Sequence, residues 1–246
     1  PFILQKFIKE SKGTDKRIEI IGGEYICAAR RENKNDFRSN VTNGGTMTPC
    51  TPSKAEIETA IKACNTLGLT FGGVDVLDDG SVCEVNSNAH IINIMNSTKI
   101  DIEKEAKRNI FAINKFKENL DIKLADENYD GKADFVINRT NNYIIAQKFE
   151  QKGIRVFNPS SLSKLANNKQ LCYEFMYKNG IEILPINYSE IPAVKKPIDR
   201  VAKGGPAPQE DQGDTGRHHG ARSRVRPHGG RHDKQILDNH PQPDRA

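Results

Sequence analysis

The chain has 246 residues, of which 36% are hydrophobic, and it carries 37 Lys and Arg against 32 Asp and Glu for a formal charge of +5 at pH 7. So small an excess suits an anionic ligand such as a nucleotide and argues against a nucleic-acid partner. No apolar run approaches the ~18–20 residues of a membrane span, and five scattered cysteines without C-x-x-C spacing read as reduced thiols of a cytoplasmic protein, not a disulfide framework or a zinc site.

Pro1 to Glu10 lacks the charged head and small-residue cleavage site of a signal peptide. With no starting Met, the chain reads as processed, cropped or fragmentary. Short strands are expected at 2–8, 17–21 and 24–29, the last two joined by Gly22 and Gly23 as a two-residue hairpin. Pro52 and Ser53 lead into a helix over 54–67, where Ile57, Ala60, Ile61 and Cys64 recur at helical spacing. Ser53 and Glu56 form a capping box, and Gly68 supplies the stop. Strands at 74–77 and 81–85 flank the turn Asp78 to Gly80, so this half reads as an antiparallel sheet with a packed helix.

The rhythm then changes. A basic helix is expected at 103–119, a buried strand at 135–137, a helix at 143–152, a strand at 154–157 and a helix at 168–178. Alternating strands and helices with short connections predict an open, mostly parallel α/β sheet. Residues 203–246 hold almost no large aliphatic side chains and five of the six histidines. Such a segment cannot offset its ordering entropy by burial, so a disordered tail is expected. Its preference for Arg over Lys, abrupt after 201, fits an out-of-frame or foreign terminus.

Chemistry concentrates between Val74 and Asn88. Glu84 and Asn86, two apart on a strand, project to one face, and a hairpin could bring Asp75 beside them. Two carboxylates and an amide oxygen form a hard-oxygen set of the kind magnesium takes, phosphate oxygens and water completing the octahedron. A solvated polar hairpin face is the competing reading. Arg30 and Arg31, with Asp36 to Asn40 after them, suit phosphate or carboxylate binding or form an ordinary charged loop. His90 reads as a surface or supporting residue.

Gln5 to Arg17, Asp36 to Asn40, Gly73 to Asp75 and Cys83 to Asn86 follow one another in the order and spacing of RimK-type ATP-grasp ligases, and residues 1–102 resemble that family nearly without a break. The resemblance implies an α/β fold: an α+β ATP-grasp catalytic subdomain plus an open α/β pre-ATP-grasp domain. It implies a ligase that uses ATP with Mg2+ (or Mn2+) to phosphorylate a carboxylate, the acyl phosphate then being attacked by an amine. The partners implied are a carboxylate substrate such as glutamate and an amine or peptide acceptor, with a homo-oligomeric assembly common in the family. Residue by residue, Gln5, Lys6, Phe7 and Ile8 would line the adenine pocket, although Lys6 stands where the family carries an acidic residue. Asp15 would accept from the ribose. Arg31 and Arg38 would stabilise the transferring phosphoryl and the substrate carboxylate, beside Asn40. Asp75, Glu84 and Asn86 would hold the metal.

The second half resembles the same family's opening region. Residues 133–137, 152–158 and 168–185 match its N-terminal α/β domain, and Pro192 to Pro197 matches the strand whose lysine contacts ATP phosphates, which makes Lys196 a candidate. The Gly-rich phosphate loop expected after Asp199 and Arg200 does not follow. The implied organisation is a catalytic subdomain at 1–105, a pre-ATP-grasp-like domain at 106–192, the start of the central subdomain at 193–202, and the tail. The order of the halves is transposed, as at a junction of two tandem units, in a circular permutant or in a broken gene. The lack of a central segment argues against a working permutant. The alternative to a ligase is an incomplete nucleotide-binding fragment without turnover.

Overall fold

The computed structural model describes residues 2–41, 44–102, 104–105, 128–140, 142–198 and 235–237. Alternation of apolar and polar side chains builds the larger sheet. In β2 (Thr14–Ile21), Ile18 and Ile20 point one way while Asp15, Arg17 and Glu19 point the other. Gly22 and Gly23, at φ 61° and 81°, turn the chain into β3 (Glu24–Glu32). Both lie in the left-handed region that a two-residue turn between twisted strands requires. With β4 (Thr46–Pro49), β5 (Phe71–Val76) and β6 (Val82–Asn86) they form a fully antiparallel five-stranded sheet in the order β4-β3-β2-β5-β6.

Ile18, Ala28, Val74 and Val85 share the apolar face and are covered by α1 (Lys54–Thr66), whose Ala60, Ala63 and Cys64 are fully buried. The capping box forms as the sequence predicts. Ser53 N donates to Glu56 Oε2 at 2.7 Å, and Glu56 N donates to Ser53 Oγ at 3.3 Å. The opposite face is polar at one end. At the other end Ile21 and Phe71 pack under α2 (Ile91–Thr98) through Ile94.

The second half forms a parallel pair, β7 (Phe135–Ile137) and β8 (Arg155–Phe157), joined by α3 (Tyr143–Gln151). A helical crossover is what a parallel pair requires. β7 is half-buried, with Ile137 exposed, where the sequence led us to expect a buried strand. Two further helices follow, α4 (Ser160–Asn167) and α5 (Lys169–Lys178), the latter capped by Asn168. β4, α2 and α4 have no counterpart in the sequence reading. The helix expected at 103–119 lies outside the described residues except for 104–105, and so does the tail at 203–246 except for β10 (Gln235–Leu237).

The halves share interior. Cys172, Tyr173 and Met176 of α5, with Ile181, join the cluster beneath the five-stranded sheet, and Phe157 of β8 joins the cluster under α2. Tyr173 is 1% exposed, and burying a ring of this size contributes about 1.5–3 kcal/mol. A three-stranded antiparallel sheet in the order β1-β9-β10 pairs β1 (Phe2–Lys6) with β9 (Ala193–Pro197), setting Ile3 opposite Lys196 and Gln5 opposite Val194. Among the described residues no helix is long and apolar enough to cross a membrane.

Candidate nucleotide and metal site

The polar face of the larger sheet is built by register. Arg17 pairs with Asp75 across β2 and β5, Asp75 with Glu84 across β5 and β6, and Gly73 with Asn86, so these side chains fall on one side. Asp15, Arg17, Glu19, Arg31, Asp75, Glu84 and Asn86 are all 3–8% exposed. Charges so deeply buried persist only when paired, and most of these are.

Asp75 is the hub. Arg17 grips it with two bonds, Nε to Oδ1 and Nη2 to Oδ2, the second at 2.9 Å. Arg31 Nη2 lies 2.9 Å from Asp75 Oδ2, and Asn86 Nδ2 is 3.4 Å from the same oxygen. Burial pushes the Asp75 carboxyl up, but the Arg17 and Arg31 guanidiniums outweigh it and hold Asp75 below the usual carboxylate range. Arg31 also forks onto Asp15 at 2.6 and 2.5 Å. Burial disfavours its charge, and Asp75 and Asp15 more than restore it, keeping it protonated. Glu19 is the exception. Burial raises its carboxyl pKa, Arg17 only partly opposes this, and its Oε1 has no hydrogen-bond partner.

The predicted site residues divide into those gathered here and those elsewhere. Asp75, Glu84 and Asn86 come together, and Arg31 joins them. Asp15, expected at the ribose, is committed within the protein: Ser39 Oγ donates to its Oδ2 at 2.6 Å beside the Arg31 fork. Arg38 folds onto its own loop, with Nη2 2.5 Å from Asp36 Oδ2 and the guanidinium over the Phe37 ring. Asn40 is half-buried, and its carbonyl accepts from Gly45 N at 3.3 Å.

Lys6, Phe7 and Ile8 line a cleft of ≈ 560 Å³ with Asp78, Tyr188 and Pro192. Gln5 points away into the interior, 1% exposed, with neither amide atom partnered. Lys196, 2% exposed, crosses from β9 to the larger sheet, where its Nζ donates to Cys83 O at 3.1 Å and stands over the Tyr173 ring. That places it one residue from Glu84.

Sequence reasoning assigned no role to Arg17, Glu19, Ser39 or Lys169. Arg17 and Glu19 were within reach, since they continue the i, i+2 face begun at Asp15. Lys169 was not: its Nζ lies 3.6 Å from Glu84 Oε1, and nothing local announces a contact between residues so distant in the chain. Among the described residues no three His, Cys, Asp or Glu side chains gather closely enough to hold a metal. The donor set of Asp75, Glu84 and the Asn86 amide oxygen suits a hard cation only if ligand oxygens complete the shell, as they do for magnesium on a phosphate chain.

Residues 1–110 match the family model for the RimK-like ATP-grasp domain. The chain is 39% identical over 104 residues to a probable alpha-L-glutamate ligase 1 of Shewanella denitrificans, covering 41% of this chain and 35% of that protein. It is 40% identical over 100 residues to a probable alpha-L-glutamate ligase of Psychromonas ingrahamii, covering 39% and 33%. It therefore spans about a third of the length of the curated relatives it matches. Among solved structures, the ATP-grasp ligase PsnB, complexed with a phosphomimetic variant of minimal precursor, Mg and ADP, is similar at 22% identity and a TM-score of 0.34, over 42% of this chain and 32% of that one. The segment that matches the RimK-like ATP-grasp family model, residues 1–110, holds β1 to β6 and the bonds that Asp75 makes with Arg17, Arg31 and Asn86.

Proposed function

We propose that the chain provides the phosphate and metal end of an ATP-dependent carboxylate–amine ligase, one that joins glutamate or a similar amino acid to an amine. The observation that carries this reading is the pairing of Asp75 with Glu84 across β5 and β6, with Asn86 on the same face and Arg17, Arg31, Lys169 and Lys196 around them. Phosphoryl transfer needs positioning and charge neutralisation more than covalent help from the protein. Magnesium bound by Asp75, Glu84 and Asn86 would neutralise the phosphate charge. Arg31, held protonated by its two carboxylate partners, would face a transferring phosphoryl or a substrate carboxylate. Arg38 would join it by leaving Asp36, whose carboxyl it holds low. The cleft at Lys6, Phe7 and Ile8 has the size for a nucleoside. In the proposed organisation residues 1–105 form the catalytic subdomain, 106–192 the pre-ATP-grasp-like unit, and 193–202 the start of the central subdomain. The β1–β9 ladder supports a permuted arrangement in which both ends serve one unit.

A second reading, a nucleotide-binding fragment without turnover, is favoured by Asp15 and Arg38, both committed to partners within the protein. The two separate in one assay. Purified chain with ATP and magnesium should release ADP only when both L-glutamate and an amine acceptor are supplied. Binding of ATP with no acceptor-dependent ADP would establish the second reading instead.

A further inference from the structure

Cys83 and Lys196 meet where β6 and β9 come together, a nucleophilic pair of which the proposed ligase uses only the lysine. Lys196 is 2% exposed and donates Nζ to Cys83 O at 3.1 Å, and the same nitrogen lies 3.5 Å from Cys83 Sγ. Three contacts hold the pair in place. β9 is zipped to β1, Tyr173 Oη donates to the same Cys83 carbonyl at 2.7 Å, and the ammonium stands over the Tyr173 ring. No carboxylate among the described residues forms an ion pair with Lys196, and a buried cation without such a partner is costly. Of the five thiols, Cys27, Cys64 and Cys172 are at most 2% exposed, whereas Cys50 and Cys83 are half-buried. A small oxidant can therefore reach Cys83, and a partly exposed thiol beside a lysine is the setting in which protein sulfur reacts with peroxide.

We propose that Cys83 and Lys196 are a modification site, at which hydrogen peroxide drives a reversible sulfur–nitrogen bridge between the two halves. In the first step the thiol is oxidised to a sulfenic acid: the S–O bond forms, the peroxide O–O bond breaks, and water leaves with the reduced oxygen. In the second, the Lys196 ammonium gives one proton to solvent and its lone pair attacks Sγ. The Nζ–Sγ bond forms, the S–O bond breaks, and the hydroxyl departs as water with a second nitrogen proton. The product is a sulfenamide, neutral at the nitrogen, so the buried charge is removed as the bond is made. A thiol reverses it by attacking the sulfur, as it does a disulfide. The partner sulfur and nitrogen are already in contact, so only the flexible lysine side chain has to move. Tying Cys83 to Lys196 closes a loop across 113 positions of the chain and fixes β9 to β6.

The test treats the full chain with hydrogen peroxide, digests it without reductant and maps the peptides by mass spectrometry. The expected product is a Cys83 peptide joined to a Lys196 peptide, lighter than the two together by two hydrogens and separated by dithiothreitol. Lys196→Arg, which keeps the charge, should leave Cys83 as a sulfenic acid that dimedone captures, whereas Cys83 of the intact protein escapes capture. Cys83→Ser should form no bridge, which keeps the test sound if the arginine variant folds poorly. The bridged chain should also unfold at a higher urea concentration, because its unfolded state carries the closed loop. Equal dimedone capture at Cys83 in the intact and Lys196→Arg proteins, a disulfide to another cysteine, or an unmodified Cys83 would each overturn the proposal. The consequence for nucleotide rests on the ligase reading above: a tethered, neutral Lys196 cannot reach a phosphate, so bridged protein should bind magnesium–ATP at least about tenfold more weakly until reduced. A bridge that leaves that affinity unchanged removes Lys196 from the nucleotide site and leaves the modification standing.

Discussion

Asp75 is held by two guanidiniums at once, and that decides both its charge and the cost of losing it. Its folded pKa lies below its unfolded one. The stability it contributes is therefore fully present above the unfolded value near ~4 and is lost as pH falls through the lower folded value. Asp75→Asn leaves Arg17 and Arg31 buried around a neutral amide, a change expected to cost about 3–5 kcal/mol. Urea midpoints of the two proteins should differ widely at pH 7 and converge as the wild type is titrated below about pH 4. A constant gap would remove Asp75 as the hub. Much of this cluster is legible in sequence, because i, i+2 spacing on a strand and a tight turn between β5 and β6 force Asp75, Glu84 and Asn86 to one face. The committed state of Asp15 is not legible, since Arg31 and Ser39 reach it across a neighbouring strand and a loop. Neither is Lys169 beside Glu84, a contact that only the packing of α5 on β6 creates.

Local signals fix the turn and the helix start, and α1 ends within a residue of its predicted stop, while β2 and β3 each run three residues beyond the strands expected beside the turn. The Gly22–Gly23 turn and the Ser53–Glu56 capping box carry their own hydrogen-bond logic, independent of what packs on them. Ser53→Ala should lower stability by about 1 kcal/mol through loss of the N-cap bond, seen as a shifted urea midpoint with an unchanged slope. A shift under a few tenths would show that packing alone holds α1. The elements missed lack such signals. α2 starts at His90 with no side-chain cap and ends in a left-handed Lys99. α4 starts behind Pro159, also without a side-chain cap. Both are held by tertiary packing, Ile94 under the sheet and Leu162 and Leu165 against the shared core. β7 departs in the other direction: an apolar triplet read as buried lies partly open, with β8 the one strand paired to it among the described residues.

At the scale of the molecule, the first and second halves are joined by shared apolar clusters and by buried polar contacts. Asn158 is the densest of them. Its Oδ1 accepts from Thr70 N at 2.8 Å, and its Nδ2 donates to Phe71 O at 2.9 Å and Ser87 O at 3.0 Å. Asn158→Ala strands these groups at an interface that excludes water, at a cost of about 1–3 kcal/mol for each one left unsatisfied. A loss of about 3 kcal/mol or more in global unfolding is expected, and a negligible loss would mean that the halves hold each other little. The docking of the halves is not legible in sequence, because β1–β9 pairing and the seating of Tyr173 depend on chain segments far apart. The exposed face of α5, with Leu171 and Tyr177 outward, belongs to neither half's interior.

Magnesium-dependent ATP binding by the whole chain, followed by calorimetry beside Glu84→Gln, tests the central claim most directly. The account predicts binding that requires magnesium and that weakens at least about tenfold in the variant, because one of the two carboxylates proposed to hold the metal would lose its charge. Equal affinity in both proteins, or binding indifferent to magnesium, would contradict the assignment of Asp75, Glu84 and Asn86 as the metal end of the site.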